Sequence, residues 1–416
     1  MANQNQAKPN GVLSYWTRIP LALRIIIAIV LGTIAGLIWK QDVAGWDKPA
    51  KMIVDVIKVL AMPLIFLAIV HVLMASKVTG KQVGKLTRLL VVNTCVAIAI
   101  GLLLANVIQP GKHAGSAGNP PAAGANPKTL GGLLEDAIPK SILGPLTDSG
   151  SGKTLSIIVL SIAVGLAFRK LRDEVAFAHV EATVKFLLDG FIVMLKWVVE
   201  LLPLAVLGLI ASKVGTNQAD KFVALIWFVV TVCLGLALQS CWYLMRIRAC
   251  SWAKPMEVLR TCRDALLTAF STASSTATMP VTYNRLKEKL GVREESANLG
   301  SLVGTNFNND GTALYEAVAA LFVAQMVGHH LGLGDQMVVV LTSMLAAMGA
   351  AGIPEGGAAT LALVLSSVGL PVEYVPFLLT VDWFVDRCRT MVNVLGDINV
   401  SCILDGKVRA SATETN

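Results

Sequence analysis

The chain has 416 residues, of which 55% are hydrophobic and only 15% are charged, and its mean hydropathy is +0.66. Soluble domains carry about 25% charged residues, so this composition excludes an ordinary soluble protein and predicts one that crosses a membrane several times. The net charge of +8 does not indicate a nucleic-acid partner, because the basic residues cluster in alternate loops between apolar runs.

Apolar runs in the first two thirds of the chain predict a series of membrane-spanning helices, since about 20 apolar residues cross the hydrocarbon. The predicted spans lie at about 20–39, 53–75, 86–109, 153–168, 181–211 and 218–246. The basic loops place both termini in the cytoplasm by the positive-inside rule. The segment 1–19 and the tail 405–416 are therefore expected inside, and the Pro- and Gly-rich loop 110–152 is expected to be flexible and external.

The last third, 253–404, follows a different pattern. Its segments "FSTASSTATMPVTY" (270–283) and "MGAAGIPEGGAAT" (348–360) interrupt apolar runs with small residues. Neither can continue as a lipid-facing helix, and each is followed by a helix that carries polar residues. The basic loop 285–293 is expected in the cytoplasm. The first hairpin should therefore enter and leave the membrane on the cytoplasmic side, and the second on the external side. Paired breaks of opposite topology predict an all-α polytopic membrane protein with two re-entrant helical hairpins and inverted repeats.

The segment "DWFVDRCRTMVNVLGD" (382–397) places its polar residues on one helical face. These residues are Asp382, Asp386, Arg389, Thr390, Asn393 and Asp397. A charge at the bilayer centre costs at least ~3 kcal/mol, so this polar stripe is expected to face a partner or a water-filled cavity. A structural ion-pair seam would also account for the stripe, but it would leave the two hairpins unexplained.

The chemistry of the stripe predicts what it binds. The Arg389 guanidinium offers a planar fork for a carboxylate. Asp386 can accept an ammonium group, and Thr390 can add a hydroxyl contact. Backbone amides at the hairpin tips suit an α-carboxylate, and they belong to Ser274, Ser275, Thr276 and Gly352. The pattern therefore predicts a site for an amino acid with an additional negative charge.

Oxygen ligands for a cation are predicted close to the same site. Asn308, Asn393 and Asp397 offer side-chain oxygens, and Gly304 and Asn308 offer backbone carbonyls. Asp310 adds another carboxylate. Hard oxygens of this kind suit an alkali cation, and Na+ is the ion expected, although residue type alone does not distinguish between ions.

Glu316 lies four residues after Thr312 and is therefore expected on the same helical face. Two interpretations of Glu316 stay open in a poorly hydrated cavity. It carries a proton during the reaction cycle, or it is a permanently neutral hydrogen-bonding residue.

At these residues the chain resembles the glutamate transporter homologue family, the dicarboxylate/amino acid:cation symporters that include the excitatory amino acid transporters. The matching segments are "MPLIF" (62–66), "STASSTATMPVTY", "NNDGTALYEA", "AAGIPEGG" and "DRCRTMVNVLGD". The resemblance implies eight transmembrane helices, a homotrimer and an elevator-like movement. It also implies that helices 1, 2, 4 and 5 within 20–252 form a scaffold, while helices 3 and 6 join the transport core 253–404.

The resemblance further implies roles for individual residues. It places the substrate contacts at Arg389, Asp386, Thr312, Thr390 and Asn393, and the cation positions at Gly304, Asn308, Asp310, Asn393 and Asp397. The archaeal branch has an arginine on the first hairpin. Here Ala273 occupies that position and Arg387 is the basic residue instead, as in the excitatory branch. In that branch the residue matching Glu316 is implicated in proton and potassium coupling, and Arg387 is assigned to the same coupling.

Several positions depart from the family pattern. Asn309 replaces a methionine, Asn306 replaces a threonine, and Ala350 stands where threonine is common. The tyrosine expected early in the third span is absent from the segment 90–94, which reads Leu-Val-Val-Asn-Thr. These departures concern cation positions, so they leave substrate recognition nearly intact, while the number of coupled Na+ ions and the dependence on Na+ itself stay open.

The sequence thus predicts a secondary active transporter for cation-coupled symport of L-aspartate or L-glutamate. It is expected in the plasma or inner membrane, with no cofactor other than Na+, and coupling to H+ and K+ stays open. The alternative of the same fold is a proton-coupled carrier of dicarboxylates or neutral amino acids, and an anion channel is the alternative of another class. A hydrolase using Ser274 or Ser275 is disfavoured, because no histidine or lysine base lies nearby in sequence, so no enzymatic activity is expected.

Overall fold

The computed structural model describes residues 19–43, 45–75, 81–114, 153–216, 220–349 and 357–409, together with the single residues 138, 141 and 144. Most of the predicted segment 1–19, most of the loop 110–152 and the tail from 410 onward lie outside the described residues, as does Gly352. The described residues form helices and no strand, in agreement with the predicted all-α class.

The helices follow the predicted spans closely. They are α1 (Leu21–Trp39), α2 (Lys48–Ala75), α3 (Lys81–Ile108), α4 (Lys153–Lys170), α5 (Phe177–Glu200), α6 (Leu202–Gly215), α7 (Asp220–Cys250), α8 (Pro255–Thr261), α9 (Arg263–Thr272), α10 (Ser275–Asn284), α11 (Glu294–Asn298), α12 (Gly304–Phe307), α13 (Asp310–Met326), α14 (Leu333–Gly349), α15 (Gly357–Ser367) and α16 (Val375–Asp405). Four segments of the described chain are long and apolar enough to cross a membrane: Leu23–Val43, Gly84–His113, Phe177–Gly215 and Phe222–Cys250.

One predicted span is divided in the structure. The expected helix 181–211 ends at Glu200 and restarts at Leu202, so α5 and α6 are separate helices. Pro203 occupies the first turn of α6. Proline has no N–H to donate and its ring clashes with the preceding turn, so a helix restarts there more readily than it continues.

The segment predicted to form the first hairpin folds into α9 and α10, which pack against each other, and its re-entrant course stays a prediction. Ala273 ends α9 in the left-handed region with φ 49°. Ser274 then caps α10, because its hydroxyl accepts a hydrogen bond from the Ala277 amide at 3.2 Å. The segment predicted to form the second hairpin includes α14 and α15, which also pack together, and the intervening residues 350–356 lie outside the described residues.

The helices pack in two groups. In the outer group, α1 packs on α6, while α2 packs on α4, α5 and α6. In the inner group, α13 packs against α3, α7, α14 and α16, and both helices of the first hairpin pack against α16. Every residue of α13 except Gln325 is buried. The polar residues of α13 and α16 therefore lie where lipid does not reach them.

The two polar helices differ in continuity. The polar segment before α13 breaks the helix, because Asn308 (φ −101°, ψ 63°) and Asn309 (φ −99°, ψ 48°) leave helical geometry. In contrast, α16 runs without interruption for 31 residues through its polar stripe. Side-chain polarity alone leaves the backbone hydrogen bonds of a helix intact, so only the first polar segment exposes backbone groups.

Candidate functional site

The polar stripe on α16 faces the interior of the inner group, as the helical spacing predicts. Arg389 and Asp397 are each 1% exposed, and Asn393 is 4% exposed. Asp382 and Thr390 are also buried, and Asp386 is half-buried. These side chains are therefore buried within protein and not turned toward lipid.

Arg389 is held by ion pairs on its own helix and by an aromatic ring. Its Nη2 lies 2.7 Å from Asp386 Oδ1 and 3.1 Å from Asp382 Oδ1. The guanidinium carbon lies 4.0 Å from the centre of the Tyr315 ring, a cation–π contact from α13. A Cβ added at Gly357, the first residue of α15, would lie 2.9 Å from Nη2. The absence of a side chain at Gly357 thus lets the second hairpin approach the guanidinium.

Two nitrogens of Arg389 keep hydrogen-bonding capacity. Within the described part of the chain, no group accepts a hydrogen bond from Nε or Nη1. A guanidinium carries five N–H donors and rarely leaves them unpaired when buried, because each unpaired polar group costs free energy. These donors are therefore suited to oxygens of an incoming anion, such as a carboxylate.

Asn393 links the stripe to the start of α13. Its side-chain oxygen accepts a hydrogen bond from the Gly311 amide at 2.8 Å. Its amide nitrogen donates to Asn309 Oδ1 at 3.2 Å and to the Thr312 hydroxyl at 3.4 Å. A Cβ at Gly311 would lie 2.9 Å from the Arg389 carbonyl. The helix start that carries Thr312 is therefore fixed directly beside Arg389.

The expected cation ligands gather around Asp397. A Cβ at Gly304 would lie 2.6 Å from Asp397 Oδ1, so glycine brings backbone to this carboxylate. The Thr305 hydroxyl donates to Oδ2 at 3.3 Å. Asn308 lies between Asp397 and Asp310. Its amide nitrogen donates to Asp310 Oδ2 at 3.1 Å, and its amide oxygen accepts from the Asp397 backbone N–H at 3.2 Å. Carboxylate, amide and backbone oxygens of this kind fit a small alkali cation.

Asp310 is bound by residues that the sequence interpretation did not single out. Thr94 on α3 donates to Asp310 Oδ1 at 2.6 Å, and Tyr243 on α7 donates to Oδ2. Tyr315, under Arg389, is a further addition. A buried tyrosine usually needs a hydrogen-bond partner, so a tyrosine inside an apolar span is the signal that could have indicated Tyr243 and Tyr315.

Glu316 is fully buried on α13, one turn after Thr312. The Thr360 hydroxyl of α15 faces its carboxyl group, and the charge of Arg389 acts on it. The structure thus buries Glu316 within electrostatic reach of the Arg389 guanidinium, on the side of α13 that faces Thr360 of α15.

Other predicted residues are not joined to the stripe. Ser274, Ser275 and Thr276 lie at the tip of the first hairpin, and their hydrogen bonds are local to it. Arg387 donates to the Trp383 carbonyl of its own helix at 2.6 Å and forms no ion pair with a described carboxylate. The structure thus gives Arg387 no contact with Glu316.

Comparison with known proteins places this arrangement in a family. The pattern that describes the sodium:dicarboxylate symporter family matches residues 21–407. An excitatory amino acid transporter of Caenorhabditis elegans is 32% identical over 93% of this chain and 87% of its own length. One of Onchocerca volvulus is 32% identical over 92% of this chain and 88% of its own. Excitatory amino acid transporter 4 of Rattus norvegicus is 36% identical over 69% of this chain and 53% of its own. The chain therefore belongs to the sodium:dicarboxylate symporter family and is a multi-pass membrane transporter.

Proposed function

We propose that the protein is a secondary active transporter that couples the uptake of acidic amino acids, L-aspartate or L-glutamate, to cations. The observation that carries this proposal is the buried Arg389 guanidinium, whose Nε and Nη1 have no described acceptor. A substrate side-chain carboxylate would accept from these donors. The Thr390 hydroxyl of the stripe and the Thr312 hydroxyl of α13, which accepts a hydrogen bond from Asn393 at 3.4 Å, are proposed to contact the same molecule.

Asp386 supports an amino acid over a simple dicarboxylate. It pairs with Arg389 at 2.7 Å and is half-buried, so part of it stays accessible. An ammonium group would find a partner in this carboxylate, whereas a dicarboxylate would bring only a second negative charge. The nematode and rat relatives are named excitatory amino acid transporters, which supports the same choice.

The coupled ions are proposed from the carboxylates near the substrate. Na+ would bind at Asp397 with oxygens of Gly304, Asn308 and Asn393, and it is carried as a co-substrate. Glu316 is proposed to carry a proton, because it is buried beside Arg389 and Thr360. Counter-transport of K+ belongs to the same proposal for Glu316.

The proposed mechanism is an elevator. The inner group, α3 and α7 with α9–α16, would move as a transport domain against an outer scaffold of α1, α2 and α4–α6. The packing supports this division, because α1, α2 and α4–α6 contact one another more extensively than they contact the inner group, although α2 also packs on α14 and α15, and α6 on α16. Phe186 and Trp197 of α5 are 78% and 67% exposed. Exposed apolar residues of this kind are suited to contact with lipid. They are also suited to contact with the neighbouring subunits of the proposed homotrimer in the cell membrane.

A second candidate is a proton-coupled carrier of dicarboxylates or neutral amino acids, which the burial of Glu316 favours. Uptake by the purified protein in proteoliposomes separates the two. Radiolabelled L-aspartate, L-glutamate, succinate and L-serine are compared with an inward Na+ gradient, and then with choline and a pH gradient alone. Accumulation of the acidic amino acids under the Na+ gradient is expected. Accumulation of succinate or serine alone, driven only by pH, would establish the second candidate instead.

Arg389→Cys tests the observation directly. It is expected to abolish uptake of acidic amino acids, at least a hundredfold, because about 3 kcal/mol of buried charge-assisted contacts are lost. Uptake of L-serine by the variant would show that it is folded. Arg248→Cys, an exposed arginine on α7, is the matched control and should keep wild-type uptake. Undiminished aspartate uptake by Arg389→Cys would remove the assignment.

A further inference from the structure

Arg246 lies next to the cation region and has no role in the site described above. It belongs to a stripe on α7 formed with Gln239 and Tyr243, which share one helical face. Gln239 donates to the Asn93 backbone carbonyl at 3.2 Å. Arg246 donates through Nη1 to the Asn93 side-chain oxygen. With Tyr243 bound to Asp310, the stripe connects α7 to both α3 and the start of α13.

Both oxygens of the Asp310 carboxylate accept hydrogen bonds from the protein. Thr94 donates to Oδ1 at 2.6 Å and Tyr243 donates to Oδ2. The Asn308 amide, in the orientation that satisfies its neighbours, donates to Oδ2 at 3.1 Å. A cation at Asp310 would have to compete with these donors for the same lone pairs.

Arg246 supplies positive charge to the same pocket. Its guanidinium is half-buried and interacts electrostatically with Asp310. Charges in a protein interior act over several ångströms, because the effective dielectric constant there is far below that of water. The guanidinium also occupies the Asn93 side-chain oxygen, the kind of hard ligand that a small cation would need.

Asp397 has different surroundings. Its carboxylate receives a hydrogen bond from Thr305, at 3.3 Å, also interacts with the Asn308 side chain, and approaches the backbone at Gly304. Within the described part of the chain, the charged group that acts on it is Asp310, which has the same sign. A buried carboxylate with no internal cation needs one from outside or a proton. The two neighbouring carboxylates are therefore not equivalent.

We infer that Arg246 serves as a fixed internal cation for Asp310, so that only Asp397, of these two carboxylates, binds an exchangeable cation. The inference rests on the proposed function and deepens it by assigning which of the two carboxylates binds a coupled ion. The inference differs from the sequence-based prediction at one residue, because that prediction placed Asp310 among the ligands of a coupled ion. Arg246 acts through Asn93 and Asp310 and is thus a positioning residue that determines ion coupling.

The first test measures L-aspartate binding to the purified full-length protein in lipid nanodiscs, with choline replacing Na+ at constant ionic strength. In Arg246→Met, Na+ is expected to take the place of the lost guanidinium. A plot of log Kd against log Na+ concentration then becomes steeper by about one, because one further ion is linked to binding. Arg246→Lys keeps the charge and should keep the wild-type slope, as should Arg248→Met on the same helix.

A folded Arg246→Met protein with the wild-type slope overturns the inference. If this variant does not fold, Asp310→Asn decides the question. That variant is expected to keep the wild-type slope, and a slope lower by about one means that Asp310 itself binds an exchangeable ion.

The second test needs no substrate and measures the rise in Tm that Na+ causes. The rise is expected to be larger in Arg246→Met than in the wild type or Arg246→Lys. Equal rises in all three proteins overturn the role of Arg246 and leave the proposed function standing. A wild type that transports no acidic amino acid overturns the proposed function, while a larger rise in Arg246→Met still supports the internal cation.

Discussion

Arg24 in the outer group and Arg389 in the inner group are both buried arginines, with exposed fractions of 3% and 1%. Arg24 has a partner at every nitrogen: Nε donates to the Ile19 carbonyl at 3.0 Å, and Nη1 and Nη2 donate to Glu200 of α5. Arg389 uses Nη2 for two carboxylates and leaves Nε and Nη1 without a described acceptor. Burial of a charge therefore does not by itself indicate a binding site. The hydrogen-bonding capacity that remains after the protein's own contacts is the better indicator.

The comparison of the two arginines predicts its largest effect, a loss of stability without a loss of substrate binding, for Arg24→Met. The variant loses charge-assisted hydrogen bonds worth about 1.5–3 kcal/mol, so its free energy of unfolding should fall by roughly that amount. The increase in Tm caused by L-aspartate should be retained, because Arg24 has no capacity left for a ligand. Thermal unfolding in detergent with and without L-aspartate measures both quantities. Loss of the aspartate effect in Arg24→Met, with the protein still folded, would contradict the distinction between the two arginines.

A smaller effect is expected from Gly304→Ala in the inner group. The new Cβ would lie 2.6 Å from Asp397 Oδ1, so the carboxylate has to move away from the backbone beside the proposed Na+ site. Apparent Na+ affinity in uptake should fall about tenfold, equivalent to about 1.4 kcal/mol. Gly334→Ala on α14 is the matched control, since a Cβ there meets nothing within 4 Å. Unchanged Na+ affinity in Gly304→Ala would place the cation site away from Asp397.

The smallest effect is expected on the free energy of unfolding, when one phenylalanine is replaced by leucine in each group. Phe322 on α13 is fully buried and its ring centre lies 4.9 Å from that of Phe228, whereas Phe186 on α5 is 78% exposed. Phe322→Leu should lower the free energy of unfolding by about 1 kcal/mol, because the packed ring is lost. Phe186→Leu should change it by less than about 0.5 kcal/mol. Equal losses in Tm for the two variants would mean that the face of α5 is covered by protein.

The grouping of the polar residues in 382–397 was predictable from the sequence, because residues that share a helix face recur at fixed intervals. The polar residues of 382–397 recur at intervals that one helix face imposes, and the structure buries that face as expected. The break at Asn308 and Asn309 and the first hairpin also follow from local chemistry, since small hydroxyl residues and consecutive asparagines favour irregular backbone. The division of α5 from α6 was missed, although Pro203 was the local signal for it.

The sequence by itself determined that this is a helical membrane protein, which residues share a face and which of them carry the side-chain chemistry of the proposed site. These properties follow from composition, helical period and side-chain chemistry, all of which are local. Only the tertiary structure decided how charge is balanced between helices. It brought Tyr243 and Arg246 of α7 to the carboxylate of Asp310, and it left Arg389 with unused donors. Such pairings join residues far apart in the chain, so no local pattern specifies them.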